Sequence, residues 1–165
     1  MSHLTDKEFE IIMSKYYKLL INIANKYLRS QYESEDVVQE VFIKLYITQK
    51  HFESEEHIKN WLIRLTINNS LDKLKQKAKI VNDDEYINNL PDPQGFEEKN
   101  EEIYDCVLSL KDSYKNIIIL YYYEKYDLKK IATILKISET NAQSRLDRAR
   151  KRLKHIILER RNSNE

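Results

Sequence analysis

The stretch DLKKIATILKISETNAQSRLDRARKRL, Asp127 to Leu153, decides the fold of the second half of the chain. Asp127 can cap a short helix, LKKIATIL, Lys136-Ile137 make a turn, and Ser138 can cap a longer helix that runs on through LKHII. Ile131, Leu135, Ile137, Ala142 and Leu146 recur at the core spacing of a helix-turn-helix, and Ala132 supplies the small side chain needed where two helices cross. Thr140, Asn141, Gln143, Ser144, Asp147 and Arg148 then point away from that core. Asn, Gln, Ser and Arg are side chains that read base edges in a major groove. Arg145, Arg148, Arg150, Lys151, Arg152 and Lys154 can neutralise phosphates along the same helix.

Upstream of this stretch, Asp112 to about Lys125 and Glu97 to Ser109 read as two further helices. The runs Ile117-Ile118-Ile119-Leu120 and Tyr121-Tyr122-Tyr123 are more apolar than one helix face requires, so they read as core with half-buried stacking. Farther back, the only glycine, Gly95, and both prolines, Pro91 and Pro93, cluster in one place. They break an otherwise helix-favouring chain into two helical parts. Residues 5–29 form a first helix with the stripe Phe9, Ile12, Tyr16, Leu19/Leu20, Ile23 and Tyr27. Ser34 can cap a second helix with the stripe Val38, Val41/Phe42 and Leu45. Ser54 can cap a third, whose apolar face starts with Ile58, Trp61/Leu62 and Leu65. Within it Thr66-Ile67-Asn68-Asn69-Ser70 are mediocre helix formers, wanted either for packing or to meet a ligand with short polar groups.

Composition bounds the rest. The 165 residues are 33% charged and 41% hydrophobic, enough for a core under a heavily solvated surface. Lys plus Arg, 28, nearly balance Asp plus Glu, 27, but the charge is segregated. Six bases and one acid lie between Lys59 and Lys79, and eight bases and two acids between Gln143 and Arg161. Between them, Asn82 to Glu102 holds eight acids and one base. A charge run is ordinarily a solvated face, but a basic block on the last helix of each half points to a polyanion. No apolar run reaches the length of about 18 residues that a membrane span needs. The start, MSHLTDKEFE, has no signal-peptide pattern, which leads us to expect a cytoplasmic protein. A single cysteine, Cys106, excludes an intramolecular disulfide framework and reads as a small buried hydrophobe. His3, His51, His57 and His155 lack zinc spacing, Asp83-Asp84-Glu85 lack that of a calcium loop, and one glycine makes no phosphate cradle. We therefore expect no catalytic residue, metal or cofactor.

Three stretches, in order, resemble bacterial RNA polymerase sigma factors of the extracytoplasmic-function (ECF) type, which carry only regions two and four of the main sigma family. DVVQEVFIKLY (Asp36–Tyr46) resembles region two's polymerase-binding helix, NWLIRLTINNSLDKLKQK (Asn60–Lys77) its promoter-melting helix, and Leu110 to Leu153 region four. The resemblance implies an all-α chain of two small helical domains. These are 1–79, an acidic linker 80–100, and 101–161 with the helix-turn-helix. It implies that Asp36, Gln39, Glu40 and Lys44 dock on the clamp coiled coil of the largest subunit of core RNA polymerase. By the same resemblance Asn68, Lys73, Lys75 and Lys77 meet the minus-ten element, and His51 to Ser54 capture a flipped base of the melted nontemplate strand. Trp61 matches the same element, although its apolar neighbours mark it as core. Asn141, Gln143, Ser144, Arg145, Arg148 and Arg152 fall to duplex promoter DNA at the minus-thirty-five element. An anti-sigma factor is a further implied partner. The chain departs from the pattern at Lys136, where the turn usually carries Gly, and at Asn141-Ala142-Gln143, which lessens charge at the reading tip. The rival reading is a stand-alone helix-turn-helix regulator, which needs an effector or dimerisation domain in place of the first half.

Overall fold

Local chemistry sets each helix boundary. The computed structural model describes residues 3–80 and 101–164, and for 79 and 80 the backbone only. Among these residues there are helices and no strand, in two compact units. The stretch read as the connector, 80–100, lies outside them apart from its first residue, as does the Asp83-Asp84-Glu85 cluster.

Helix α1 (Asp6–Leu28) starts at a capping box: Glu8 N–H donates to Thr5 Oγ1 at 3.2 Å while Glu8 Oε2 accepts from Thr5 N–H at 2.8 Å. It ends where Arg29 turns left-handed, φ 50°. The next residue, Ser30, is extended and caps α2 (Gln31–Ile47), its Oγ accepting from Glu33 N–H at 3.3 Å. This corrects the expectation that Ser34 is the cap. Ser34 is one turn inside α2, fully buried, with its hydroxyl donating to Ser30 O at 2.7 Å. Ser54 does cap α3 (Glu55–Ile80), accepting from His57 N–H at 3.1 Å.

These three helices form the first unit, α1 packing on both α2 and α3. Leu20, Ile23 and Tyr27 of α1, Val37, Val38 and Val41 of α2, and Ile58, Leu62, Ile63 and Ile67 of α3 are its core, each at most 1% exposed. Burial of a side chain of that kind stabilises by about 1.5–3 kcal/mol. The face of α3 is rotated from the one expected. Ile63 and Ile67 are buried, while Leu65 and Trp61 are only half-buried.

The second unit starts with α4 (Glu101–Leu108), which buries Tyr104, Cys106 and Val107. Helix α5 (Asp112–Ile118) continues into a π-helical turn, Ile119–Tyr123, closed by Glu124 N–H on Ile119 O at 2.9 Å. All four residues Ile117 to Leu120 are buried, because α4, α6 and α7 pack around this element and leave it no wet face. Helix α6 (Leu128–Leu135) is capped by Asp127 and α7 (Glu139–Ser163) by Ser138. Between them Lys136 is left-handed, φ 55° and ψ 48°, with its N–H on Ala132 O and Thr133 O. Ala132, Ala142 and Ala149 are buried, and small side chains of this kind let helices approach closely.

Candidate nucleic-acid interface

The cap at Ser138 fixes where α7 begins and so which residues reach its exposed tip. Asn141, Gln143, Arg148 and Arg152 are exposed, and Ser144 and Arg145 half-exposed, while Ala142 and Leu146 hold the opposite face in the core. Two hydrogen bonds tie the tip residues to their own helix: Arg145 Nε to Asn141 Oδ1 at 3.0 Å and Gln143 Nε2 to Asp147 Oδ1 at 3.1 Å. Arg150, expected to meet phosphate, is engaged elsewhere. Its Nε donates to Tyr122 Oη at 2.5 Å and its guanidinium lies 5.5 and 5.6 Å from the Tyr121 and Tyr122 ring centroids. The Tyr122 bond, foremost, pushes the Arg150 pKa still further up.

On α3 the five mediocre helix formers, residues 66–70, divide by face. Thr66, Ile67 and Ser70 are buried, Thr66 Oγ1 donating to Leu62 O at 2.8 Å, so packing claims them. Asn68 alone of the five is exposed, and Asn69 is half-buried. The lysines beyond it are not equivalent. Lys73 Nζ pairs with Asp36 Oδ2 at 3.1 Å, and Lys77 pairs with Glu33. Lys75 is exposed. The structure thus joins Asp36 to Lys73, two residues that the sequence placed on separate surfaces. Gln39, Glu40 and Lys44 are exposed on α2.

The segment before α3 is anchored rather than open. Phe52, between His51 and Ser54, is 4% exposed. It meets the rings of His57 at 5.3 Å and Trp61 at 5.5 Å edge-to-face. His57 Nδ1 accepts from Glu53 N–H at 3.2 Å and closes the segment onto the first turn of α3. Trp61 is therefore a border residue, half-buried beside this segment, rather than a core one. At the base of the same helix end, Glu55 accepts from Lys15 and from the Tyr16 hydroxyl, the latter at 2.6 Å. Those two bonds hold the Glu55 carboxyl below the usual carboxylate range. Burial, with the Glu55 bond and charge, pushes the Tyr16 phenol up to about 12.

One surface feature escaped the sequence. Phe9, Met13, Tyr17, Phe42, Ile43 and Tyr46, with Gln39 at the rim, line an apolar hollow of about 420 Å³ between α1 and α2. Tyr17, Ile43 and Tyr46 are 41%, 60% and 59% exposed, an unusual degree for side chains of that size. The spacing of Phe9, Met13 and Tyr17, four apart, is a second stripe hidden beside the one that enters the core. Among the described residues no group of three or more His, Cys, Asp or Glu side chains could hold a metal ion. No described helix is long and apolar enough to cross a membrane.

Comparison with known proteins bears on both units. The model of Sigma-70 region 2 matches residues 12–80, and that of Sigma-70, region 4 matches residues 100–153. The ECF RNA polymerase sigma factor SigM of Bacillus subtilis (strain 168) is 30% identical over 159 residues, 92% of this chain and 93% of the relative. The RNA polymerase sigma factor SigV of the same organism is 31% identical over 130 residues, 78% of each chain. Two solved structures share the fold. CnrH, in complex with the cytosolic domain of CnrY, matches with a TM-score of 0.66 at 17% identity, covering 93% of this chain and 89% of that one. The Bartonella quintana sigma factor RpoE, in complex with the anti-sigma factor NepR, matches with a TM-score of 0.65 at 20% identity, covering 92% and 97%. With the three-helix unit and the helix-turn-helix unit each matched, and in this order along one chain, the protein belongs to the sigma-70 family of RNA polymerase sigma factors, in its ECF branch.

Proposed function

We propose that this chain binds core RNA polymerase and directs promoter-specific initiation, its two units holding two promoter elements. The observation that carries this reading is the pairing, in one chain, of a Sigma-70 region 2 unit with a helix-turn-helix whose tip exposes Asn141, Gln143 and Arg148. A stand-alone regulator has no use for the first of these. Region two extends over residues 1–79 and region four over 101–161, with the acidic stretch 80–100 as tether. Neither unit need bind tightly alone, since tethering raises the effective concentration of the second once the first is bound.

On this reading Gln39, Glu40 and Lys44 meet the clamp coiled coil of the polymerase's largest subunit, and the neighbouring hollow of Tyr17, Ile43 and Tyr46 adds apolar area. Asp36, held by Lys73, contributes to that surface from its edge. Asn68 and Lys75 face the melted nontemplate strand at the minus-ten element. Lys73 and Lys77, paired here with Asp36 and Glu33, are two further basic groups on that part of α3. Single-strand binding of this kind relies on stacking and a basic groove, and Trp61, half-buried against Phe52, borders the segment His51 to Ser54 that would hold a flipped base. Arg145, Arg148 and Arg152 take phosphate contacts at the minus-thirty-five duplex, with Asn141, Gln143 and Ser144 at the base edges. An anti-sigma factor is a further partner on this reading, supported by the complex of a sigma factor of the same fold with the anti-sigma factor NepR. The reading calls for no metal or cofactor on this chain.

The test is in vitro transcription with purified core polymerase. We expect initiation at a specific start only when the chain is added. Tight operator binding without core polymerase, and no initiation with it, would return the chain to the class of ordinary regulators.

A further inference from the structure

The tip of α7 carries two amides, and each has one edge fixed by a neighbour that can only donate or only accept. Asn141 Oδ1 faces Arg145 Nε at 3.0 Å, and a guanidinium only donates. The Nδ2 edge of Asn141 therefore points the other way. Gln143 Nε2 faces Asp147 Oδ1 at 3.1 Å, and a carboxylate only accepts. The Oε1 edge of Gln143 is therefore the one left for a ligand. The two ends of an amide are ordinarily hard to tell apart, but here the chemistry of the partners settles both.

Asp147 is itself held. Arg150 Nη1 lies 3.7 Å from the same Oδ1. Arg150 in turn sits against the Tyr121–Tyr122 pair, whose rings meet edge-to-face at 4.9 Å. Those tyrosines stand on the π-helical turn that anchors in the core through Ile119 and Leu120. A continuous run of contacts thus leads from a buried turn to an exposed amide, through residues 143, 147 and 150 of one helix edge. As an exposed pair with Arg150 alone, Asp147 would contribute little. An acid on a helix that meets phosphate also weakens binding by like-charge repulsion, so its place there calls for a further role.

We propose that Asp147 is a specificity-positioning residue: it orients the Gln143 amide so that α7 presents the Oε1 acceptor outward, and Gln143 thereby selects adenine. This rests on the reading of α7 as the helix that enters the upstream duplex. Guanine and thymine offer no donor in the major groove, and the cytosine N4 donor has no adjacent acceptor on its own base. Adenine offers both, an N6 donor for Oε1 and an N7 acceptor for the second hydrogen of Nε2. The first hydrogen of Nε2 stays on Asp147, so the bidentate pair and the positioning bond are compatible.

The test uses holoenzyme assembled from the full chain and core polymerase, and duplex promoters randomised upstream. Base preference at each position is counted for wild type, Gln143→Ala, Asp147→Asn and Arg148→Ala. We expect wild type to prefer adenine about tenfold at one position, and Gln143→Ala to abolish that preference. Asp147→Asn keeps the shape of the side chain but lets either edge of the Gln143 amide face it. It should lower the preference at that same position about fivefold, with total binding unchanged or tighter. Arg148→Ala should weaken all sequences alike. An unaltered preference in Asp147→Asn, a loss spread evenly over all positions, or a guanine or thymine preference at the Gln143 position overturns the proposal. No upstream preference in wild type would instead overturn the reading of α7 on which it rests.

Discussion

At the scale of single residues, Lys136 carries backbone strain and the Tyr16–Glu55 pair links charge to stability. Lys136 holds the left-handed conformation, φ 55°, that closes α6, and a side chain with a Cβ pays about 1 kcal/mol there that glycine does not. Lys136→Gly should raise the unfolding free energy of the full chain by up to about that amount, while Lys136→Ala should leave it nearly unchanged. Urea unfolding followed by circular dichroism measures both. The Tyr16–Glu55 bond links stability to pH at both ends of the scale. The folded chain holds the Tyr16 proton more tightly than an ordinary phenol of pKa 10.0, with its own value pushed up to about 12. That contribution is complete below pH 10 and falls away as pH rises from 10 towards 12. Burial shifts Tyr126 in the same direction, so Tyr16→Phe should flatten the alkaline fall without removing it. Glu55 is shifted the other way, by its bonds from Lys15 and Tyr16. Its contribution is present above the ordinary value of 4.5 and falls away as pH drops below it, so Glu55→Gln should flatten the acid limb.

Between elements, α2 and α3 meet in an antiparallel ladder of charge: Glu33 with Lys77, and Asp36 with Lys73. Asp36→Lys alone should destabilise the chain, and the swap Asp36→Lys with Lys73→Asp should recover most of that stability. The coupling in a double-mutant cycle is expected at about 0.5–1 kcal/mol for a half-exposed pair. The ladder also marks the limit of what local sequence can show. Helix count, the Asp127, Ser138 and Ser54 caps, and the α2 core of Val38, Val41, Phe42 and Leu45 are legible in the sequence, because capping and apolar period are local signals. Sequence alone puts the α2 cap at Ser34 because Glu35 and Asp36 follow it directly, where acids suit a first turn. Only the left-handed turn at Arg29, which ends α1 without a loop, decides for Ser30. The α3 face is misplaced by sequence because Thr66 and Ser70 count as polar by type yet pack as core. In the candidate interface, the exposed positions of α7 follow from its cap, but the engagement of Arg150 with Tyr122 spans 28 residues and a π-helical turn, which no periodicity announces. The pairs that occupy Lys73 and Lys77 are hidden for the same reason: they join positions 37 and 44 residues apart.

For the whole molecule, the bipartite reading assigns different defects to different units. Asn68→Ala should impair promoter opening, followed by permanganate reactivity of unpaired thymines, with little effect on closed-complex affinity. Arg148→Ala should weaken closed-complex binding and reduce its log–log salt slope by about 0.9 for each phosphate it no longer neutralises. Equal effects of both changes in both assays would refute the division of labour. The buried Cys106 has a consequence of its own. It is the sole thiol of the chain, sits 1% exposed in α4, and packs in the unit that contains the helix-turn-helix. An alkylating reagent can reach it only when that unit opens, so the labelling rate of unmodified protein is a built-in stopwatch for the second half and blind to the first. Upstream duplex added to holoenzyme should slow the clock, and mass spectrometry of timed aliquots would read it without a dye, a tag or an engineered residue.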